Sequence, residues 1–249
     1  MKESIVSKNA ADATHNTTLL ELTEEAPIAD GVIDVMHTEF DVSKLQATFW
    51  QAGHIFCTDK SISLRQVDES DRESFIEIQR EYSAFRSMLK DEIYCDMVWK
   101  EHTQERGLMC AITKDSTYLG YCGISNITAE PWEITIELKS EWTRQGIGII
   151  AVRAMLDRIK AQLGVGIFKI RIEPSNYVSQ KMFEKLGAVP HGIAELWIHD
   201  PKMLAQCEED NLHNIDENLI AVAEKFSVEP RKLLSHVLEY TLRWNNEAD

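Results

Sequence analysis

Trp132-Glu133-Ile134-Thr135-Ile136-Glu137-Leu138 runs through Lys139-Ser140-Glu141-Trp142-Thr143 into Arg144-Gln145-Gly146-Ile147-Gly148, and this stretch decides the fold. Its first seven residues alternate apolar and polar, the period of a strand with one buried face. After the glycines, Ile149, Ile150, Val152, Met155, Leu156, Ile159 and Leu163 form an apolar stripe at helical spacing, ended by Gly164 and Gly166. The order is strand, glycine turn, helix. Such a turn presents free backbone N–H groups and the positive end of a helix dipole to an anion, which makes it a pyrophosphate seat. Gly146 and Gly148 carry no side chain, so phosphate oxygens can approach the main chain, and Arg144 adds a charge-assisted contact. Taken alone, a G-x-G before a helix serves equally well as a plain tight turn, so the flanking segments carry the weight.

Working outward, Ser61-Ile62-Ser63-Leu64-Arg65-Gln66-Val67 alternates as a strand. Asp68 and Ser70 offer N-caps to a helix carrying Phe75, Ile76, Ile78 and Tyr82. A second helix is predicted over Phe85 to His102, with Met88, Leu89, Ile93, Met97 and Val98 turned inward. Residues 108–112 and 118–124 read as a hairpin around the polar turn Lys114-Asp115-Ser116. Phe168, Ile170 and Ile172 alternate with Lys169, Arg171 and Glu173 as a further strand, followed by a helix from Tyr177 to Leu186 closed by Gly187. A single strand, around Ala194 to Ile198, is predicted after it. The core from Ile62 to about Ile198 therefore reads as α/β or α+β, a mixed sheet with helices on both faces.

Two segments at this separation resemble the GNAT superfamily of acetyltransferases. Thr143-Arg144-Gln145-Gly146-Ile147-Gly148 stands where that family carries a Gln or Arg, two residues, Gly, one residue, and Gly or Ala. Asn176-Tyr177-Val178-Ser179-Gln180-Lys181-Met182-Phe183-Glu184-Lys185-Leu186-Gly187 is close to the N-x-x-S-x-x-x-x-E-K-x-G pattern of the branch acting on ribosomal-protein N-termini and polyamines. Two departures stand out: Thr143 replaces the leading Gln or Arg, and Phe183 replaces a proton-donating Tyr that many relatives carry.

The resemblance implies a GNAT fold with a twisted mixed sheet and an acetyl-CoA-dependent N-acetyltransferase. In that reading an amine attacks the thioester directly in a ternary complex, without a covalent acyl-enzyme. It implies that main-chain groups of Ile136, Glu137 and Leu138 pair with the pantetheine arm, that Arg144, Gln145, Gly146, Ile147, Gly148 and Ile149 hold the pyrophosphate, and that Asn176 hydrogen-bonds the arm. Glu133 stands where relatives place a base, with Glu130 and Glu137 as alternatives, although a Glu there is equally the polar residue of an alternating strand. Ser179 resembles the acid for the departing thiolate, or is a local cap. The partners implied are acetyl-CoA and an amine acceptor, either a small molecule or a protein N-terminus. The alternative reading is a non-catalytic GNAT-fold module that binds acyl-CoA or a protein.

The bulk numbers agree with one catalytic domain carrying extensions: residues 1–27 as a mobile tail, 28–60 as an extension packing on the core, 61–200 as the acyltransferase domain and 201–249 as a helical extension. A net charge of -15 over 249 residues argues against nucleic acid and mildly favours a cationic acceptor. No apolar run approaches a membrane span, and the N-terminus lacks the apolar stretch of a secretory signal, so a cytoplasmic protein is expected. The five cysteines form no C-x-x-C pair and the eight histidines no H-x-x-x-H pair, so no disulfide framework and no metal is expected. Asp210 to Asp216 lacks the glycine of a calcium loop. Residues 216–244 read as two amphipathic helices, the second carrying Leu233, Leu234, Val237, Leu238, Tyr240 and Leu242, docked on the core or on a partner in a homodimer.

Overall fold

A computed structural model describes residues 41–51, 53–57, 62–195 and 198–245. The tail expected over 1–27, and residues 28–40 of the expected extension, lie outside them.

Among the described residues eight strands form one sheet: β1 (Ile55–Cys57), β2 (Ile62–Gln66), β3 (Leu108–Lys114), β4 (Thr117–Ile124), β5 (Trp132–Leu138), β6 (Ile167–Ile172), β7 (Val189–Ala194) and β8 (Val237–Arg243). Their spatial order is β1-β2-β3-β4-β5-β6-β8-β7, as the α/β expectation of a mixed sheet requires. β1 to β5 form an antiparallel meander, β5 and β6 run parallel, and β8 lies antiparallel between β6 and β7. Asp115 and Ser116, with φ of 48° and 65°, make the tight two-residue turn between β3 and β4.

Among the described residues seven α-helices flank the sheet: α1 (Val42–Trp50), α2 (Arg72–Tyr82), α3 (Glu92–His102), α4 (Ile147–Leu163), α5 (Tyr177–Lys185), α6 (Pro201–Asp210) and α7 (Glu217–Phe226). One core packs α1, α4, α5 and α7 against the sheet, around Val152, Leu156, Phe168, Phe183 and Tyr240. The other holds α2 and α3 through Phe75, Ile76, Ile78, Cys95 and Trp99, with Tyr118 and Tyr121 from β4. α1 is tied to α4 by Arg158, which donates from Nε to the Phe49 carbonyl at 3.0 Å and from Nη2 to the Gly53 carbonyl at 2.6 Å. Its guanidinium lies 4.3 Å from the centre of the Phe56 ring, a cation–π contact. Among the described residues no helix is long and apolar enough to cross a membrane.

Two expectations are corrected. The helix predicted over Phe85 to His102 is a short 3₁₀ turn at Met88–Lys90 and then a fresh start at α3, where the Asp91 side chain accepts from the Ile93 N–H at 2.8 Å. The restart resets the helical phase. Met88, Ile93 and Met97, expected inward, are 48%, 80% and 56% exposed; Leu89 is buried as expected, and Cys95, Trp99 and His102 are buried in place of the others.

The second correction concerns the C-terminus, where residues Leu233 to Leu242 do not continue as a helix. After α7 a 3₁₀ turn at Pro230–Leu234 leads into β8, whose buried Leu238, Tyr240 and Leu242 recur every second residue. The strand that follows Gly187 is β7 at Val189–Ala194, and it gains β8 as its partner, so the sheet closes with two strands and α6 and α7 inserted between them. The insertion is pinned by Glu208, 2% exposed, which accepts from Arg231 at 2.9 Å, Lys232 at 2.8 Å and Ser235 at 3.1 Å. Burial pushes the Glu208 carboxyl up, but these donors more than offset it and hold it below the usual carboxylate range.

Candidate functional site

β5 and β6 pair only at Trp132 with Phe168 and Glu133 with Lys169. Beyond that rung they diverge, while β5 stays paired on its other edge to β4 as far as Leu138. The edge of Ile134 to Leu138 that faces β6 is thereby left open toward a wedge between parallel strands. The wedge is a cleft of about 700 Å³, lined by Glu133 to Leu138, Thr143, Arg144, residues 170–173, Asn176, Ser179 and Phe183. It brings together Glu133, Ile136, Glu137, Leu138, Arg144, Asn176 and Ser179 from distant parts of the sequence.

A second cavity of about 430 Å³ shares Ile136, Leu138, Thr143, Arg144, Val178 and Ser179 with the cleft and adds Gly146, Gly148, Ile149, Lys181, Met182 and Lys185. Its floor is the start of α4. Arg144 (φ 59°) and Gly146 (φ 79°) both adopt the left-handed conformation, and no side chain caps the helix. The first N–H groups of α4 have no partner within the helix itself. A Cβ on Gly148 would lie 3.0 Å from the Met182 Sδ and 3.3 Å from the Ile136 Cδ1, so a bare glycine keeps the gap between α4, α5 and β5 open. An anionic, elongated ligand fits this arrangement: the wedge for an arm, and the helix start with Arg144, Lys181 and Lys185 for phosphates. Gln145 and Ile147 do not line either cavity; Gln145 donates to the Glu141 carbonyl at 2.6 Å and braces the turn, while Ile147 is buried.

Asn176 caps α5, its Oδ1 accepting from the Ser179 N–H at 3.1 Å. That cap leaves the Asn176 amide nitrogen and the Ser179 hydroxyl without hydrogen-bond partners among the described residues. Phe183 is 2% exposed and packs at the cleft floor.

The carboxylates differ sharply. Glu133 is gripped at both oxygens by Arg171. Glu137, opposite Tyr121 in the sheet register, accepts from Gln79 Nε2 at 2.7 Å, and the same nitrogen lies 3.3 Å from the Tyr121 hydroxyl oxygen. Burial pushes the Glu137 carboxyl up, and the bonds from Tyr121 and Gln79 draw it partly back. Burial likewise raises Glu173 at the cleft wall. Glu130 is exposed and does not line the cleft. Among the described residues no group of three or more His, Cys, Asp or Glu could hold a metal ion. Gln79, Tyr121 and Arg171 escaped the sequence reading because their partners lie 58, 16 and 38 positions away along the chain, beyond any local spacing. Lys181 and Lys185 were visible as an i, i+4 basic pair on α5.

A family model described as the acetyltransferase (GNAT) domain matches residues 61–189. Comparison with curated proteins gives no match. Among solved structures, a ribosomal L7/L12 α-N-protein acetyltransferase, RimL, in complex with coenzyme A superposes with a TM-score of 0.54 at 14% identity, covering 76% of this chain and 98% of that one. Mycobacterium smegmatis RimJ with a coenzyme A disulfide gives 0.51 at 14% identity, covering 76% and 86%. A spermidine N-acetyltransferase SpeG chimera from Vibrio cholerae and hSSAT gives 0.51 at 11%, covering 74% and 96%. With the splayed strands, the uncapped glycine turn and a family match over more than half its length, the chain belongs to the GNAT family of acetyltransferases.

Proposed function

We propose that this chain moves the acetyl group of acetyl-CoA to a primary amine by direct attack in a ternary complex. The observation that carries this reading is the wedge between β5 and β6 opening onto the uncapped start of α4. In this reading the open edge of Ile136, Glu137 and Leu138 pairs with the pantetheine arm as a neighbouring strand would. The N–H groups from Gly146 to Ile149, with Arg144, Lys181 and Lys185, receive the phosphates, and Gln145 and Ile147 shape the turn. The acyltransferase unit comprises residues 61–200 together with β8, which completes the sheet.

Glu137 is the better proton acceptor for the incoming ammonium, which must become a neutral amine before it attacks. Both oxygens of Glu133 are committed to one guanidinium, whereas Glu137 faces the cleft and its raised pKa suits a group that must take a proton. Glu137 takes one proton from the incoming ammonium, the freed amine nitrogen bonds to the acetyl carbonyl carbon, and the C–S bond breaks as the nitrogen's surplus proton passes by way of Ser179 to the departing thiolate. Ser179, whose hydroxyl is free at the cleft wall, stands ready to protonate the thiolate; Phe183 cannot. Glu133, Glu137 and Glu173 around the cleft favour a cationic acceptor, in the class of a polyamine or a protein N-terminus, as the names of the similar structures suggest.

The test is coenzyme A release by purified protein given acetyl-CoA with spermidine, or with a peptide bearing a free N-terminus, beside Gly146→Trp and Glu137→Gln. Amine-stimulated release abolished by the first and strongly slowed by the second supports the enzyme. Binding of acetyl-CoA without amine-dependent release would favour a binding module instead.

A further inference from the structure

Burial pushes the Glu137 carboxyl up, so the groups packed around it decide how readily it carries a negative charge. It lies on the sheet face covered by α2, directly across from Tyr121 in the register of β4 and β5. Its neighbours from the packed elements are Gln79 and Tyr82 on α2, Tyr118 and Tyr121 on β4, Glu133 on its own strand, and Arg171 and Glu173 on the β6 side of the cleft. Arg171 is already engaged by the Glu133 carboxylate at 2.7 to 2.8 Å, and Lys139, two residues past Glu137, by Glu77 at 2.8 Å. What remains is a pair of neutral groups, Gln79 and Tyr121. Gln79 Nε2 donates to Glu137 Oε2 at 2.7 Å and contacts the Tyr121 oxygen at 3.3 Å, which leaves the tyrosyl proton to point at Glu137.

We propose that Gln79 and Tyr121 are positioning residues that hold the Glu137 carboxylate ionised and aimed into the cleft. This deepens the reading of Glu137 as proton acceptor and rests on it. Toward Glu137, Tyr121 acts as a donor, while its oxygen accepts from Gln79 Nε2: burial raises its hydroxyl well above the ordinary tyrosine value, so it stays protonated and does not relay the proton onward. Its ring is fixed from behind by Phe75, centroids 5.5 Å apart, and by His102 edge-on at 4.5 Å, which restricts the hydroxyl to one direction. Gln79 sits three residues before Tyr82, a residue of the cleft wall, so α2 delivers both the donor and part of the acceptor surface.

A carboxylate that loses one donor holds its proton more tightly. The test follows the Glu137 side-chain carboxyl by ¹³C NMR over a pH titration of the full chain, with its resonance assigned by its absence in Glu137→Gln. Tyr121→Phe and Gln79→Ala should each move the midpoint up by about one pH unit. Gln79→His, which restores an N–H donor, should recover part of the shift. In parallel, the acidic limb of the pH–rate profile for coenzyme A release with spermidine or an N-terminal peptide should move up by the same amount. A folded Tyr121→Phe protein whose Glu137 midpoint stays within about 0.3 units of wild type overturns the proposal. If instead the midpoint moves but Glu137→Gln keeps full turnover, the positioning stands and the role of Glu137 as proton acceptor falls.

Discussion

Glu133, in the last rung that joins β5 to β6, meets Arg171 just beyond it, with Arg171 Nε donating to Oε1 at 2.8 Å and Nη2 to Oε2 at 2.7 Å. Lys169, the register partner of Glu133, adds a looser contact at 3.9 Å. The bidentate pair spans the apex of the wedge, where the two strands begin to separate, and acts as a side-chain rung in place of a backbone one.

If the pair is a clamp, Glu133→Gln and Arg171→Ala should behave alike. Each should lower stability by about 1 kcal/mol, because the pair is partly exposed, and weaken acetyl-CoA binding several-fold. Neither should move the acidic limb of the pH–rate profile. Calorimetric binding beside steady-state kinetics checks this. A Glu133→Gln protein that binds acetyl-CoA normally and yet has no turnover would return the base role to Glu133.

Gly148 tests the cavity at the start of α4. Alanine favours the helix, so Gly148→Ala should leave the melting temperature near wild type. Its Cβ, however, would press on the Met182 Sδ at 3.0 Å and the Ile136 Cδ1 at 3.3 Å, in the wall of that cavity. The expected result is an acetyl-CoA Kd raised about tenfold, with Met182→Ala in the same chain recovering part of the loss. Unchanged affinity in a folded Gly148→Ala protein would place the ligand elsewhere.

Much of this was legible because the informative patterns are local. The alternation over Trp132 to Leu138, the glycine turn and the stripe of α4 each lie within one element, so period and composition suffice. What the sequence hid depends on contacts between elements. The phase of α3 was misread because Asp91 restarts the helix after a 3₁₀ turn, which rotates Ile93 and Met97 outward. β8 was misread because Val237, Leu238, Tyr240 and Leu242 satisfy a helical stripe and a strand alternation alike, and only pairing with β6 and β7 decides between them. The separation of Glu133 from Glu137 into clamp and cleft carboxylate depends on Arg171, Gln79 and Tyr121, whose proximity is a product of the fold.

Gly120 shows how tightly β4 and β5 approach behind the cleft. A Cβ there would lie 2.2 Å from the Glu137 carbonyl oxygen and 2.7 Å from the Leu138 Cα, and both are backbone atoms that cannot step aside. Gly120→Ala should therefore destabilise by roughly 2 to 4 kcal/mol and distort the strand that carries Glu137. Chemical denaturation measures the first effect. A variant as stable as wild type would mean that the sheet yields here more readily than its register implies.

His102 predicts how stability responds to acid. The ring is 7% exposed, stacked on Phe75 at a centroid distance of 4.0 Å, and its Nε2 is buried without a hydrogen-bond partner. Burial lowers its pKa from 6.5 to about 4, with Asp71 opposing only weakly. The folded state therefore binds this proton less readily than the unfolded chain, so stability is full above the unfolded value and falls as the pH drops below 6.5 toward about 4. The complete loss would be on the order of 3 kcal/mol, reached only below the folded value. His102→Phe keeps the stacked ring, removes the orphan nitrogen and cannot titrate. Between about pH 7 and pH 5 the urea midpoint of wild type should decline more steeply than that of His102→Phe, the difference isolating this residue from the exposed histidines. Parallel curves would mean that His102 is reached by water and takes its proton in the folded protein.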